Sequence, residues 1–243
     1  AYTERIIACS DTKIYSIDAA WTVTDITAGA VTDGEWSGAP FANYLFLANG
    51  TDPVKRVSIA DVVTAAAFVG PGGADTALNQ VWSYRGKIYL IEKNSQKYWY
   101  HPTLGGVTGA LTSVDISNFF NTPGKLLFGS SWSYNQGSTN DDYNVFVNAD
   151  GEVLIYRGAD PGASDWSLIG RTKIPRPLSR NSHKKVGTDL YIYTTSGLIS
   201  LSSALANVAS APDLVTLSDK LSTIFERGYY PTAGDATSRT ASS

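Results

Sequence analysis

The stretch WSYRGKIYLIEKN, residues 82–94, decides the fold. It opens on Trp-Ser, crosses a turn at Arg85-Gly86, and then alternates apolar and polar side chains through KIYLIEK. A period of two marks a strand, and the β-branched and aromatic residues in it suit a pleated, half-buried surface. The same arrangement stands elsewhere in the chain. Trp-Ser recurs at Trp36-Ser37 and Trp132-Ser133, 46 and 50 residues from Trp82-Ser83. Behind these pairs come NYLFLANG (43–50) and YNVFVNADG (143–151), each a strand that runs into turn residues.

A fourth copy, HKKVGTDLYIYTTSG (183–197), has His183 in place of the tryptophan, and a fifth, TKIYSIDAA (12–20), lies near the start. Five units in 243 residues make about 49 residues each, the size of a four-stranded propeller blade. The expected fold class is all-β: a β-propeller of about five blades of antiparallel strands, spanning residues 1–210. Asn49-Gly50, Asp150-Gly151 and Ser196-Gly197 read as hairpin turns, because such pairs tolerate the positive φ of a primed turn. In DLVTLSDKLSTIFERG (213–228), Leu214, Leu217, Leu221, Ile224 and Phe225 share one helical face, and Gly228 suits a stop. A C-terminal amphipathic helix over 211–228, packed on the propeller, is expected, followed by a mobile or neighbour-wrapping tail over 229–243.

Composition limits the chemistry. With 43% apolar and 17% charged residues the chain has the makings of a folded core. No apolar run approaches a membrane span, and AYTERIIACS (1–10) lacks the basic-then-apolar order of a signal peptide, so no membrane attachment is expected. Cys9 is the only cysteine, which excludes an internal disulfide and a multi-cysteine zinc site. The net charge of −3 argues against a surface that grips nucleic acid all round.

Catalytic signatures are lacking. The two histidines, His101 and His183, sit in no metal-binding or nucleophile motif, and TPGKLL (122–127) lacks the spacing of a phosphate-binding loop. No catalytic residue, cofactor or metal is therefore expected. The acidic runs STNDD (138–142) and NADGE (148–152) offer oxygens to calcium but lack its loop spacing, and turn chemistry explains them more cheaply. In EVLIYRGADPGASDWSLIGR (152–171), Asp160, Gly162 and Trp166 read as a structural turn, with a glycan or metal contact as the alternative. Tyr98, Trp99 and Tyr100 read as packing between blades, or else as a sugar platform. Trp36, Trp82, Trp132, Asp160 and Trp166 are the expected structural markers of the repeat.

One charge feature stands out. RTKIPRPLSRNSHKK (171–185) holds six basic residues, Arg171, Lys173, Arg176, Arg180, Lys184 and Lys185, and no acid. It reads either as a solvated connection between strands or as a contact with DNA phosphates or a neighbouring subunit.

Three runs, YRGKIYLIEKNSQKYWYHPTLGGVTGALTSVDIS (84–117), GEVLIYRGADPGASDWSLIGRTKIPRPLSR (151–180) and VGTDLYIYTTSGLISLSSAL (186–205), carry a family likeness. The order Glu92-Lys93-Asn94-Ser95, Tyr98 to Tyr100, Tyr156-Arg157-Gly158, Asp160-Pro161 and Trp166 is its most specific part. It resembles the tail or head-to-tail closure proteins of tailed bacteriophages, nozzle-like virion proteins built around a β-propeller. The resemblance implies a non-enzymatic virion protein, assembled in the host cytoplasm. It further implies a homo-oligomeric ring around the DNA exit path, with other tail or portal-complex proteins as neighbours and DNA passing non-specifically. The sequence departs from the family at NTPGK (121–125), where a basic run is usual. The alternative is an extracellular glycan-binding propeller, lectin-like or glycosidase-related, using exposed aromatics such as Trp99 or Trp166.

Overall fold

A computed structural model describes residues 4–135 and 140–207. Blade 1 is built from β1 (Ile6–Cys9), β2 (Ile14–Ile17) and β3 (Val23–Asp25). Blade 2 comprises β4 (Ser37–Phe41), β5 (Tyr44–Ala48), β6 (Lys55–Ser58) and β7 (Val63–Ala65). After a short β8 (Phe68–Val69), blade 3 takes β9 (Leu78–Tyr84), β10 (Lys87–Glu92) and β11 (Lys97–Tyr100). β12 (Gly109–Ala110) then pairs in parallel with β8, and β13 (Thr112–Asp115) completes blade 3. Blade 4 is β14 (Leu126–Asn135), β15 (Asn140–Asn148), β16 (Glu152–Arg157) and β17 (Ser167–Lys173). Blade 5 is β18 (His183–Val186), β19 (Asp189–Thr194) and β20 (Gly197–Ser200).

Every blade is an antiparallel meander. The five stretches singled out in the sequence supply β2, β5, β10, β15 and β19, the second strand of each blade. These strands are buried on both faces where neighbours exist. In β10, Ile88 and Leu90 face blade 2, whereas Tyr89 and Ile91 face blade 4. In β15, Phe146 turns to blade 3 while Val145 and Val147 turn to blade 5. KIYLIEK therefore lies between two cores rather than half-buried on one, and both of its faces are apolar. Each side chain of this size is worth about 1.5–3 kcal/mol when fully buried, so the interblade clusters dominate stability.

Three local expectations are corrected. Blades 1 and 5 have three strands among the described residues, not four. Asp150-Gly151 is not a two-residue primed turn: the register runs from Val147↔Val153 across a five-residue loop in which Gly151, and not Asp150, has positive φ. Ala42-Asn43 and Arg85-Gly86 are two-residue turns in which both residues have positive φ, as a type I′ turn requires. A short helix, α1 (Leu201–Asn207), stands within the span read as purely propeller, and its Leu201 and Ala204 join the blade 4–blade 5 cluster. The amphipathic segment over 211–228 and the tail over 229–243 lie outside the described residues.

Buried apolar clusters join blades 1 and 2, 2 and 3, 3 and 4, and 4 and 5. Between blades 5 and 1 no such cluster occurs among the described residues. The segment before β18 is tied instead to the connection that leads from blade 1 into β4 of blade 2: Arg180 donates to the Glu35 carbonyl and Asn181 Nδ2 to the Trp36 carbonyl at 3.3 Å.

Candidate functional site in the central channel

The first strands of blades 2 to 5 lie nearest one another: β4 packs beside β9, β9 beside β14, and β14 beside β18. Each is the edge of its own sheet, which is why Pro40 is tolerated in β4, since an edge strand has no partner for the missing N–H. Between them is a cavity of about 420 Å³, lined by Ser37 to Pro40, Gln80 to Ser83, Gly129 to Ser131 and His183 to Lys185, with Trp36 and Asn181 at its margin.

Close approach of these strands depends on one glycine and one glutamine. Gln80, buried between β9 and β14, donates from Nε2 to the Gly129 carbonyl and accepts from the Gly129 N–H, both at 3.1 Å. A Cβ on Gly129 would lie 2.3 Å from Cζ2 of Trp82. Trp82 stacks on Tyr89 and donates from Nε1 to Asn144 Oδ1 at 2.8 Å. Trp132 donates from Nε1 to Asp189 Oδ1 at 3.2 Å in the next interface. Trp36, by contrast, precedes β4 and packs with the blade 1–blade 2 cluster. The three tryptophans are thus not structurally equivalent, although each of these three pairs places its serine on an inner strand; a further pair, Trp166-Ser167, opens the outermost strand β17 instead.

His183 takes the fourth position and stacks on Phe128 with centroids 4.0 Å apart. Its Nδ1 lies 3.1 Å from the Arg180 carbonyl, so that nitrogen carries the proton. Burial pushes the imidazole down to about 4, with the Lys184 charge adding to the effect, and the ring is neutral at physiological pH. Lys184 and Lys185 line the channel beside it, and Lys185 Nζ donates to Ser133 Oγ at 3.1 Å.

The remaining basic residues are elsewhere, so the segment is not one patch. Arg171 and Lys173 lie on β17, the outermost strand of blade 4, where Arg171 Nη1 donates to Asn121 Oδ1 at 3.1 Å. Arg176 is exposed and lies 3.7 Å from Asp150. Arg180 is nearly buried, and besides the Glu35 carbonyl it faces the Glu35 carboxylate at 3.4 Å.

Of the acidic residues that the sequence offered to a metal, Glu152 holds backbone instead. Glu152 accepts from the Asn121 and Thr122 N–H groups and the Thr122 hydroxyl, at 2.9, 3.1 and 3.1 Å. Asp52 accepts in the same way from the Thr32 N–H at 2.8 Å and hydroxyl at 2.7 Å. In each case an asparagine at the end of the second strand (Asn148) or just after it (Asn49) shapes the loop through its Oδ1. Burial raises both carboxyls, but these hydrogen bonds outweigh it and leave them below the usual carboxylate range. STNDD falls partly outside the described residues. Sequence reasoning missed these clasps, although Thr32-Asp33-Gly34 and Thr122-Pro123-Gly124 precede equivalent strands and signal them.

Asp160 and Trp166 sit together at the blade 3–blade 4 interface. Asp160 accepts from the Gly162 N–H at 2.8 Å and pairs with Lys87 at 2.7 Å, while Trp166 stacks on Tyr156. Tyr98 and Tyr100 face the same interface, and Trp99 packs on the opposite side toward blade 2, its Nε1 donating to Glu92 at 2.8 Å.

No family model matches the chain, and no curated protein matches it in sequence. Among solved structures it is similar to a chain of a nidogen/laminin complex, with a TM-score of 0.50 and 14% identity over 88% of this chain and 81% of that one. A protein of unknown function from Bacteroides caccae gives 0.48 at 12% identity, covering 78% of this chain and 66% of that one. A BBS1N–ARL6DN complex gives 0.45 at 11% identity, covering 81% and 73%. At such identities the nidogen/laminin likeness supports the propeller fold and nothing beyond it.

Proposed function

We propose that this chain is a structural, non-enzymatic component of a tailed-bacteriophage particle, forming a homo-oligomeric ring in the tail or head-to-tail connector, around the DNA path and beside other tail or portal proteins. The reading rests on one observation: the aromatic residues that carry the phage resemblance, Trp99 excepted, converge with Asp160 on a single interblade joint. Tyr98, Tyr100, Tyr156 and Trp166 pack there, and Asp160 pairs with Lys87 across it. Lys93 extends the pattern to blade 2 through the Gly50 carbonyl at 3.2 Å. Residues spent on packing make a rigid disc, which suits assembly, and rigid blades leave loops to meet neighbours.

A cavity of about 420 Å³ is the size of a small-molecule pocket, so any DNA path lies in the lumen of a ring of chains and not through one propeller. The competing glycan reading is weakened by the same packing, since Trp99 and Trp166 are half-buried and engaged. Electron microscopy and native mass measurement of the purified full chain test the proposal. Closed rings of fixed subunit number are expected; a monomer that binds sugars on a glycan array overturns it.

A further inference from the structure

We propose that the chain's own C-terminal tail, residues 232–243, pairs with the open edge of β1 as the first strand of blade 1 and so closes the propeller. In blades 2, 3 and 4 the residue that follows the outermost strand donates its N–H to the residue just ahead of the third strand: Ala66 to the Val54 carbonyl at 2.7 Å, Ile116 to Gln96 at 3.2 Å and Ile174 to Gly151 at 2.9 Å. Blade 1 makes the same bond from Ile26, after β3, to Ile14 at 2.9 Å, where β2 begins. Although β2 is second in chain order, it therefore stands in the third place of its blade, with β3 in the fourth and β1 in the second. The side chains agree. Ile7 and Cys9 of β1 turn toward blade 2, as Phe46 and Ala48 of β5 turn toward blade 3. What blade 1 lacks among the described residues is the inner strand, which is why β4, β9, β14 and β18 line the channel and β1 does not.

β1 consequently presents an unpaired edge. The Ser10 N–H bonds to the Lys13 carbonyl at 2.8 Å, and bonded pairs alternate along an antiparallel ladder, so Ile7 and Cys9 aim their N–H and C=O groups away from β2. On that side β5, β10, β15 and β19 are each covered by a first strand, whereas β1 is not among the described residues. An edge of this kind is a template for another strand.

The tail suits the place. An inner strand carries small side chains, as Ser37-Gly38-Ala39 and Gly129-Ser130-Ser131 do, and residues 232–243 are all Thr, Ala, Gly or Ser except Asp235 and Arg239. The last described helix, α1, packs on blade 5, the neighbour of blade 1 in the ring. Residues 208–231 join it to the tail and reach about 3.3 Å each when extended, several times the width of about 20 Å of a four-stranded blade. The inference stands on the blade pattern and not on the virion reading: rings of chains can form with β1 open, and a closed propeller can be a monomer.

The experiment follows hydrogen exchange at the Ile7 and Cys9 amides in the full chain and in a chain ending at residue 228. Removing the tail should speed both by at least about tenfold and leave Phe46 and Ala48 unchanged. Because truncation can weaken the whole fold, single cysteines are also placed one at a time from 232 to 243 of the full chain, as in Ala236→Cys, and oxidised against Cys9, the only native thiol. Intrachain disulfides at one position, or at two positions two residues apart, are expected, since alternate residues of a strand share a face. Equal exchange in the two chains, no disulfide at any position, or disulfides that link only two separate copies each overturns the proposal.

Discussion

Gly129→Ala places a methyl group 2.3 Å from Cζ2, 2.5 Å from Cη2 and 2.7 Å from Cε2 of the Trp82 indole. Neither side can retreat cheaply. The indole is stacked on Tyr89 at 5.4 Å, meets Phe146 edge-on at 5.8 Å, and is bonded to buried Asn144. The β14 backbone is held by both ends of the Gln80 amide. Overpacking of this kind costs about 1–3 kcal/mol, and disturbing the indole bond to a buried amide adds about 1 kcal/mol. A loss of about 2–4 kcal/mol is therefore expected, which for a domain of this size lowers Tm by about 10 °C. Urea unfolding followed by tryptophan fluorescence reads it as a lower midpoint at unchanged m-value. Gly170→Ala on β17 is the matched control, because there the added methyl meets Ile155 Cδ1 at 3.4 Å, an ordinary contact. Its effect should be neutral or a gain of about 0.4–1 kcal/mol from a stiffer unfolded chain. If Gly129→Ala is no worse than Gly170→Ala, the inner strands are not packed as described.

Two further predictions concern ionisable groups. The folded His183 imidazole titrates at about 4 and the unfolded one near its ordinary 6.5, so between these values the unfolded chain holds the extra proton and stability falls as pH drops. The total is about 3 kcal/mol at most, and His183→Phe, which keeps the stack on Phe128, should flatten the stability profile over that window in urea melts. Glu152 behaves in the opposite sense: its lowered folded value gives stability that is present above the ordinary carboxylate range and lost as pH falls through the folded value. Glu152→Gln turns an amide toward the Asn121 and Thr122 donors, costs about 1–3 kcal/mol, and should speed hydrogen exchange at those two N–H groups; unchanged exchange would argue against the clasp.

The architecture was legible because the repeat is periodic in its second strands. Those strands must be apolar on both faces, as Ile88, Tyr89, Leu90 and Ile91 are, and such runs stand out against the turns that bound them. The channel was only half legible. Trp-Ser falls at three inner strands but also opens the outermost strand β17 at Trp166-Ser167, and a two-residue match does not fix register: Trp36 falls outside β4 while Trp82 and Trp132 fall inside their strands. The basic run misled in a different way. Its residues are adjacent in sequence, but the chain leaves the outer strand of blade 4 and crosses to the inner strand of blade 5 within it, so Lys173 lies on an outer strand and Lys184 beside the central channel. The clasps at Asp52 and Glu152 escaped notice because their partners, Thr32 and Thr122, come from the connection ahead of the blade, 20 and 30 residues away.

Blade number and channel width follow from the same few side chains. When few blades surround an axis, the inner strands must approach closely, and their facing positions have room only for small residues. β4 supplies Ser37, Gly38 and Ala39, and β14 supplies Gly129, Ser130 and Ser131. β9 and β18 are the exceptions, β18 with His183, Lys184 and Lys185 and β9 with Val81 and Trp82, and it is opposite Trp82 that β14 has no side chain at all. The large residue and the missing one are a pair: the indole fills the space that the glycine vacates, and the Gln80 amide secures the fit. An enlarged residue at Gly38 or Gly129 therefore acts on the width of the channel and on the packing of two blades at once. Changes on outer strands, such as Gly170 or Lys173, act on neither, because nothing there converges.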